Sequence, residues 1–158
     1  MTEAGLLAGD RAAPIGGHTP RSLAAAVGVE ARSLADVFAD GPGVGVDERL
    51  VVDDDHAGML LDALVLGAEA LRAFAPGAVP VLWPEHFDVT STTGEVNYGI
   101  PPGDDPLPVA YAYVGPWTPP APDVFWTEPF GVARPMSSFA DAEAVRMFFV
   151  EGRDRLPG

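Results

Sequence analysis

The chain has 158 residues, enough for one domain with a real core but too few for a nucleotide-binding domain joined to a substrate domain. Hydrophobic residues make up 47% of the sequence, which excludes wholesale disorder, and the lack of Cys excludes disulfide scaffolds, zinc–cysteine sites and thiol catalysis. The 23 acidic residues outnumber the 9 basic residues, and the net charge of −14 argues against nucleic acid or an anionic membrane as a partner.

The charges are unevenly spread along the chain. Between Ala73 and Ala133 there are seven acidic residues and no Arg. One interpretation is a solvated acidic face that keeps the protein in solution, and the other is a site for a cation or a basic partner. Every basic residue is Arg, so Schiff-base and P-loop chemistry, which need Lys, are excluded. The first nine residues carry no basic segment, and we expect a soluble, cytoplasmic protein.

The first third of the chain carries weak structural signals. Residues 1–20 predict a flexible N-terminal arm, and residues 21–158 predict a single α+β domain. Residues 21–38 have helical spacing in two short pieces. Gly41-Pro42-Gly43 then ends any helix, and residues 44–52 are compatible with either a strand or a linker.

The clearest helix runs from about Asp55 to Ala75. Leucines recur along it at helical spacing, and the acidic residues at its start suit the positive end of the helix dipole. Pro76-Gly77 ends it. Because its polar residues form only a narrow stripe, we expect the helix to be buried on most sides.

Alternating side chains after Pro76 predict short antiparallel strands. Thirteen of the 17 prolines lie between Pro76 and Pro135, which keeps these strands short. The first predicted strand covers residues 79–89 with an interruption at Pro84, and the next two cover residues 96–100 and 109–113. A fourth includes Val124 to Trp126 and extends toward Val132.

The end of the chain predicts a second long helix. Ser138 with Asp141 resembles a capping box that opens a helix reaching Arg153. Together the elements predict an α+β fold, in which a small antiparallel sheet of about four strands packs against a long central helix and a C-terminal helix.

The densest group of functional side chains lies at a bend between two predicted strands. Glu85, His86 and Asp88 are ligand types for zinc, manganese or iron(II), with Glu95 or Asp123 as further ligands. In an extended chain only His86 and Asp88 share a face. The same pair can act as a general base and its carboxylate partner, while no Gly-x-Ser-x-Gly elbow supports a serine hydrolase. Alternatively, His86 bonds a carboxylate or carbonyl and fixes the bend.

Two other acidic motifs predict local structure rather than a site. Asp53-Asp54-Asp55-His56 is explained by helix capping. Gly103-Asp104-Asp105 lacks the spacing and the closing Glu of a calcium-binding EF-hand loop, so it indicates a turn.

Aromatic residues are concentrated in the predicted sheet. If Tyr98, Tyr111 and Tyr113 share one face, they can line a pocket for a flat or apolar ligand, and otherwise they fill the core beneath the helix. The ligand-binding candidates are Trp83, Glu85, His86, Asp88, Asn97, Tyr98, Tyr113, Trp117 and Trp126. The metal candidates are His86, Asp88, Glu85 and Glu95.

Short motifs follow one another in a fixed order within residues 55–155. They are Leu82-Trp-Pro-Glu-His-Phe-Asp88, Val96-Asn-Tyr-Gly99, Pro102-Gly-Asp104, Tyr113-Val-Gly-Pro-Trp117, and Phe125-Trp126 followed by Phe130-Gly131. The series resembles an uncharacterised, mainly actinobacterial protein family and is far more specific than any one of its motifs. That family has no assigned activity, so the resemblance implies no catalytic role. Residues 1–50 lie outside it.

Two functions are compatible with these observations. The favoured one is a non-enzymatic module that binds a small ligand or a protein partner without a cofactor, and the alternative is a metal-dependent enzyme that uses the His/carboxylate cluster at residues 85–95. A pocket in which His86 meets at least two carboxylates favours the enzyme, whereas a filled sheet face removes it. Short, proline-bounded edge strands leave a homodimer open. The aromatic face of the favoured module consists of Trp83, Tyr98, Tyr113 and Trp117.

Overall fold

The computed structural model describes residues 5–33, 43–84 and 86–156, and its fold class is α+β as predicted. The chain divides into two compact units, Met1–Met59 and Leu60–Gly158. Within the described ranges, no helix has both the length and the apolar character needed to cross a bilayer. The elements are β1 (Gly5–Ala8), β2 (Arg11–Pro14), α1 (Pro20–Ala26), α2 (Asp54–Phe74), β3 (Val81–Trp83), β4 (Asp88–Thr93), β5 (Val96–Ile100), β6 (Tyr111–Pro116), β7 (Val132–Pro135), a 3₁₀ turn (Met136–Ser138) and α3 (Ala142–Asp154).

The first unit contains a β-hairpin that the sequence did not predict. β1 and β2 pair antiparallel inside the segment expected to be an arm without strands. α1 begins at a capping box, in which the Thr19 side chain accepts from the Ser22 N–H and the Ser22 side chain accepts from the Thr19 N–H. Arg21 forms an ion pair with Asp47 at 2.6 Å. The second helical piece predicted in this region falls on residues 34–38, outside the described residues.

The second unit contains a five-stranded antiparallel sheet in the order β3-β4-β5-β6-β7. The sequence predicted about four strands, and the one placed over residues 124–126 is an irregular turn instead. Asp123 Oδ1 accepts hydrogen bonds from the N–H groups of Phe125 and Trp126, both at 2.7 Å. The Asp123 side chain thus takes the place of a partner strand, so that residues 124–126 form a turn in which Phe125 and Trp126 are both buried, and the last strand is β7.

The helices α2 and α3 pack against the same face of this sheet. A Cβ on Gly67 of α2 would overlap the side chain of Ile100 in β5, and one on Gly152 of α3 would lie 2.8 Å from Val114 Cγ2 in β6. Glycine at both positions therefore brings the helix backbones into contact with the sheet's side chains. The core is completed by aromatic packing, with the Phe74 and Tyr98 ring centroids 4.5 Å apart.

The central helix is confirmed, but its predicted burial on most sides is wrong. It is capped by the Asp53 side chain, and its end matches the prediction to within one residue. Leu61 and Val65 are 61% and 51% exposed. A helix that lies on one sheet buries a single stripe of side chains. The narrow polar stripe therefore led to an overestimate of how much of the helix is buried. The buried residues are Leu64, Gly67, Ala70 and Leu71.

The predicted C-terminal helix is also present, with a different cap. Asp141 is the N-cap, and its Oδ1 accepts from the Ala144 N–H at 2.9 Å. Ser138, which was expected to cap the helix, ends the 3₁₀ turn and donates its hydroxyl to the Pro135 carbonyl at 2.7 Å.

We expect Gly67→Ala to destabilise the protein by about 1–3 kcal/mol, because the new methyl group would enter space that the fully buried Ile100 occupies. The matched control is Gly58→Ala in the same helix, where a Cβ meets nothing within 4 Å. That variant should gain up to about 1 kcal/mol from helix propensity alone. Urea unfolding of both variants decides the matter.

A third variant tests the contact itself. Ile100→Val removes the Cδ1 atom that the new methyl would meet, so the double variant should lose less stability than the sum of the two single variants. Equal gains for Gly67→Ala and Gly58→Ala would contradict the close approach of α2 to β5.

Candidate functional site

The sheet has a second face, and the strand register shows which residues lie on it. Gly99 pairs with both Thr90 and Tyr113, and Asn97 pairs with Gly115. The side chains of Thr90, Asn97 and Tyr113 therefore point to the same face of the sheet. Tyr98 pairs with Val114 on the opposite side, beneath the helices. None of the described residues of α2 or α3 lines the cleft on the Tyr113 side.

A cleft of about 720 Å³ lies on this face. Its floor consists of strand residues, and its rim comes from the loops that follow β3, β5 and β6. A volume of this size is typical of sites for small organic ligands. Proline is prominent in the rim, where Pro101, Pro102, Pro116, Pro119 and Pro129 line the opening.

Two glycines let the ring of Tyr113 lie across the cleft floor. A Cβ on Gly99 would lie 2.7 Å from Tyr113 Cε1, and one on Gly115 would lie 3.4 Å from two further atoms of the same ring. Phe130 meets this ring edge to face, with the centroids 6.1 Å apart. The Tyr113 ring is therefore clamped between strand backbone and a loop aromatic before any ligand arrives.

A hydrogen bond from Tyr111 fixes one wall of the cleft. The Tyr111 hydroxyl donates to Asp104 Oδ2 at 2.7 Å, and Asp104 Oδ1 accepts from the Leu107 N–H at 3.0 Å. Gly103 precedes this Asp with a φ of 119°, which favours glycine, and a Cβ there would lie 2.8 Å from the Val109 nitrogen. The carboxylate of Asp104 is thus held at a set position in the rim.

The phenol groups of the floor are kept protonated. Burial, with a smaller contribution from the charge of Asp88, raises the pKa of Tyr113 to about 12. Burial also raises the pKa of Tyr111, and the hydrogen bond to Asp104 adds to that shift. Asp88 is only 9% exposed and lines the cleft together with His86. At neutral pH both phenols of the floor are therefore neutral hydrogen-bonding groups.

The cleft brings together five of the predicted ligand-binding residues, namely His86, Asp88, Asn97, Tyr113 and Trp117. Three other candidates lie elsewhere. Tyr98 and Trp126 are core residues that are 1% and 4% exposed, because strand parity and the Asp123 turn direct them beneath the helices. Trp83 lies on the cleft side of the sheet, where its Nε1–H donates to Thr90 Oγ1 at 2.9 Å, but it does not line the cleft. Of the predicted aromatic face, only Tyr113 and Trp117 line the cleft.

The predicted metal set is only partly assembled. Glu85 lies outside the described residues, and among the described ones no group of three His, Cys, Asp or Glu side chains could hold a metal ion. Glu95 lies at the far end of β4 from Asp88, roughly 17 Å away for a strand of this length. Asp123 is occupied by its turn. The structure thus brings together His86 and Asp88 but does not add Glu95 to them.

Several cleft residues were missed at the sequence level. Asp104 was interpreted as turn chemistry, and it does form a turn, but its second oxygen also anchors Tyr111. Phe130 reaches the cleft from a tight turn in which Glu128 and Gly131 exchange two backbone hydrogen bonds of 3.0 Å. No periodic signal marks Asp104 or Phe130, because both reach the cleft from turns, and the spacing Tyr111-x-Tyr113-x-Gly115 adds only Gly115 to the predicted face.

The sequence matches no protein-family model and no curated protein, and the fold matches no solved structure.

We expect the native protein to resist tyrosine ionisation near pH 10.0, the ordinary pKa of the phenol. All three tyrosines of the chain have raised pKa values, so ultraviolet difference absorbance reports them without background. Between pH 10.0 and about 12 the folded state retains a proton on Tyr113 that the unfolded state releases, so stability should fall as the pH rises through this window.

The control is the same titration in concentrated guanidinium chloride, where all three phenols should ionise together near the ordinary value. Ionisation of more than one tyrosine of the native protein near pH 10.0 would contradict the clamped and buried floor, because at least one of them would then be Tyr111 or Tyr113.

Proposed function

We propose that the protein binds a small organic ligand in the cleft above Tyr111 and Tyr113, and that it does so as a binding module without a cofactor. The observation that carries this proposal is the preorganised floor. Tyr111 is tied to Asp104, and Tyr113 is held over two glycines, so neither ring needs to be ordered by the ligand. Stability alone does not call for a concave, half-open aromatic surface of this size.

The composition of the lining supports a small molecule over a protein partner. The aromatic rings provide apolar contact area, and Asn97, His86 and two carboxylates provide a few polar groups that can orient a ligand. Asn97 already accepts a hydrogen bond from Thr92 Oγ1 at 2.8 Å, which leaves its amide N–H groups to donate.

The resemblance to the uncharacterised family adds support for the choice of this site. All five of its motifs, which lie far apart in the sequence, contribute side chains to this cleft: His86 and Asp88, Asn97, Asp104, Tyr113 with Trp117, and Phe130. We propose that the protein belongs with this family. The cytoplasmic location and the lack of nucleic-acid and membrane partners stay predictions, and a homodimer stays open.

A thermal-shift screen with a chemically diverse fragment set tests the proposal. Ligands that bind the folded state should raise the melting temperature. Their affinity should fall at least about tenfold in Trp117→Ala, because that side chain forms part of the cleft wall. Trp83→Ala is the matched control, since Trp83 is similarly exposed on the same sheet but lies outside the cleft.

Two outcomes would contradict a ligand-binding function here. One is a screen in which no fragment stabilises the protein. The other is a set of ligands whose affinity is unchanged by Trp117→Ala while circular dichroism shows the variant to be folded.

The alternative, a metal-dependent enzyme, draws on one observation: His86, Asp88 and Asp104 line the same cleft. Lining one cleft falls short of a pocket in which His86 meets at least two carboxylates, because these three side chains do not converge into a group that could bind an ion. The metal set itself lacks support, because the described residues hold no group of three that could bind an ion. We therefore rank it second.

Elemental mass spectrometry on the untagged protein separates the two functions. We expect no near-stoichiometric metal and no difference between the wild type and His86→Ala. A stoichiometric metal that is lost in His86→Ala would favour the enzyme and overturn the module. Asp105→Asn serves as the control, because Asp105 is exposed and does not line the cleft.

A further inference from the structure

We infer that the ligand of this cleft is an organic cation, with a protonated or quaternary amine attached to an apolar body. This inference rests on the proposed function and names its ligand class. It is carried by the cleft's charge, its aromatic side chains and its shortage of anion-binding groups.

The charge of the cleft is negative. Asp88 and Asp104 both line it, and Asp104 is held in place by two hydrogen bonds that leave its oxygens further acceptor capacity. His86 is the one basic side chain among the described lining residues, and a protonated His86 would oppose a cation. No Arg of the described chain lines the cleft.

The arginines of this unit lie on the helix side instead. Arg134 stacks over Phe148 at 4.9 Å, and Arg155 stacks over Phe125 at 4.5 Å. Both also approach Glu151, at 3.8 and 2.8 Å. The positive charges of these two arginines are thus engaged on core aromatics, away from the lining.

The walls suit an ammonium group. Tyr113, Trp117 and Phe130 line the cleft, and the faces of such rings attract cations. Trp117 is 64% exposed, so its ring is accessible to a ligand. An aromatic wall combined with a carboxylate binds the charge and the carbon substituents of an amine at the same time.

The rim is poor in groups that bind anions. Anion sites in proteins depend on converging backbone N–H groups, and five of the lining residues are prolines, which have none. The volume of about 720 Å³ also exceeds what a bare metal ion fills, which favours an organic cation.

Three probes with the same body and different charge test the inference by calorimetric titration: 2-phenylethylammonium, 2-phenylethanol and phenylacetate. We expect the cation to bind at least about tenfold more tightly than the alcohol, and phenylacetate to bind most weakly. The preference for the cation over the alcohol should shrink as the salt concentration rises.

Isosteric variants locate the origin of the preference. Asp88→Asn and Asp104→Asn should each reduce the ratio of cation to alcohol affinity at least about threefold. Asp105→Asn changes the net charge by the same amount one residue from Asp104 and outside the lining, so it should leave the ratio unchanged. If Asp88→Asn does not fold, the more exposed Asp104 decides the test.

The outcomes separate this inference from the proposed function. Three results would each overturn the inference that the ligand is a cation. They are equal binding of the cation and the alcohol, tightest binding of phenylacetate, and an Asp105→Asn effect as large as that of Asp104→Asn. In those cases sensitivity to Trp117→Ala would leave the ligand-binding cleft standing. If no probe binds while screened fragments do, only the cation inference fails, and if neither binds, both proposals fail.

Discussion

Gly67 in α2 and Gly152 in α3 allow two helices to lie directly on the side chains of Ile100 and Val114. This close approach commits one face of the sheet to the core, since both contacted residues are fully buried. Helices that stood further away would leave voids along β5 and β6, and interiors are packed too densely to tolerate them. Once that face is closed, strand alternation sends every second side chain to the other face, where the cleft lies.

Glycines also determine the packing on the open face of the sheet, where they make room for an aromatic ring. Gly99 and Gly115 leave room for the Tyr113 ring to lie flat, and Phe130 covers its edge. The apolar surface of the sheet is thereby shielded without a third helix, and the loops only need to build a rim. Tight turns do this in two ways: Asp104 bonds back to Tyr111, and Gly131 lets its turn cross Val114 closely. The cleft is what remains between these loops.

Period-two alternation was enough to predict β5 in full and parts of β3, β4 and β6, because alternate residues such as Val96, Tyr98 and Ile100 face the core. Alternation gave a wrong strand at Phe125 and Trp126, whose N–H groups donate to the Asp123 side chain and not to a neighbouring strand. Hydrogen bonding of this kind produces no periodic pattern in the sequence. At the site, alternation placed Tyr111 and Tyr113 together. It could not place Tyr98 relative to them, because register between strands, and not spacing within one, decides that.

The segregation of charge follows from the same division into two faces. Arg134 and Arg153 lie over core aromatics on the helix side, where their charge is compensated by Glu151 and Asp154. An Arg side chain is long enough to cover a ring while its head stays hydrated, and its use there strengthens the closed face. The acidic stretch between residues 73 and 133 receives no such partner from its own sequence. Two of its carboxylates, Asp88 and Asp104, line the cleft, where no described Arg accompanies them, and the proposed preference for a cation rests on this imbalance of charge.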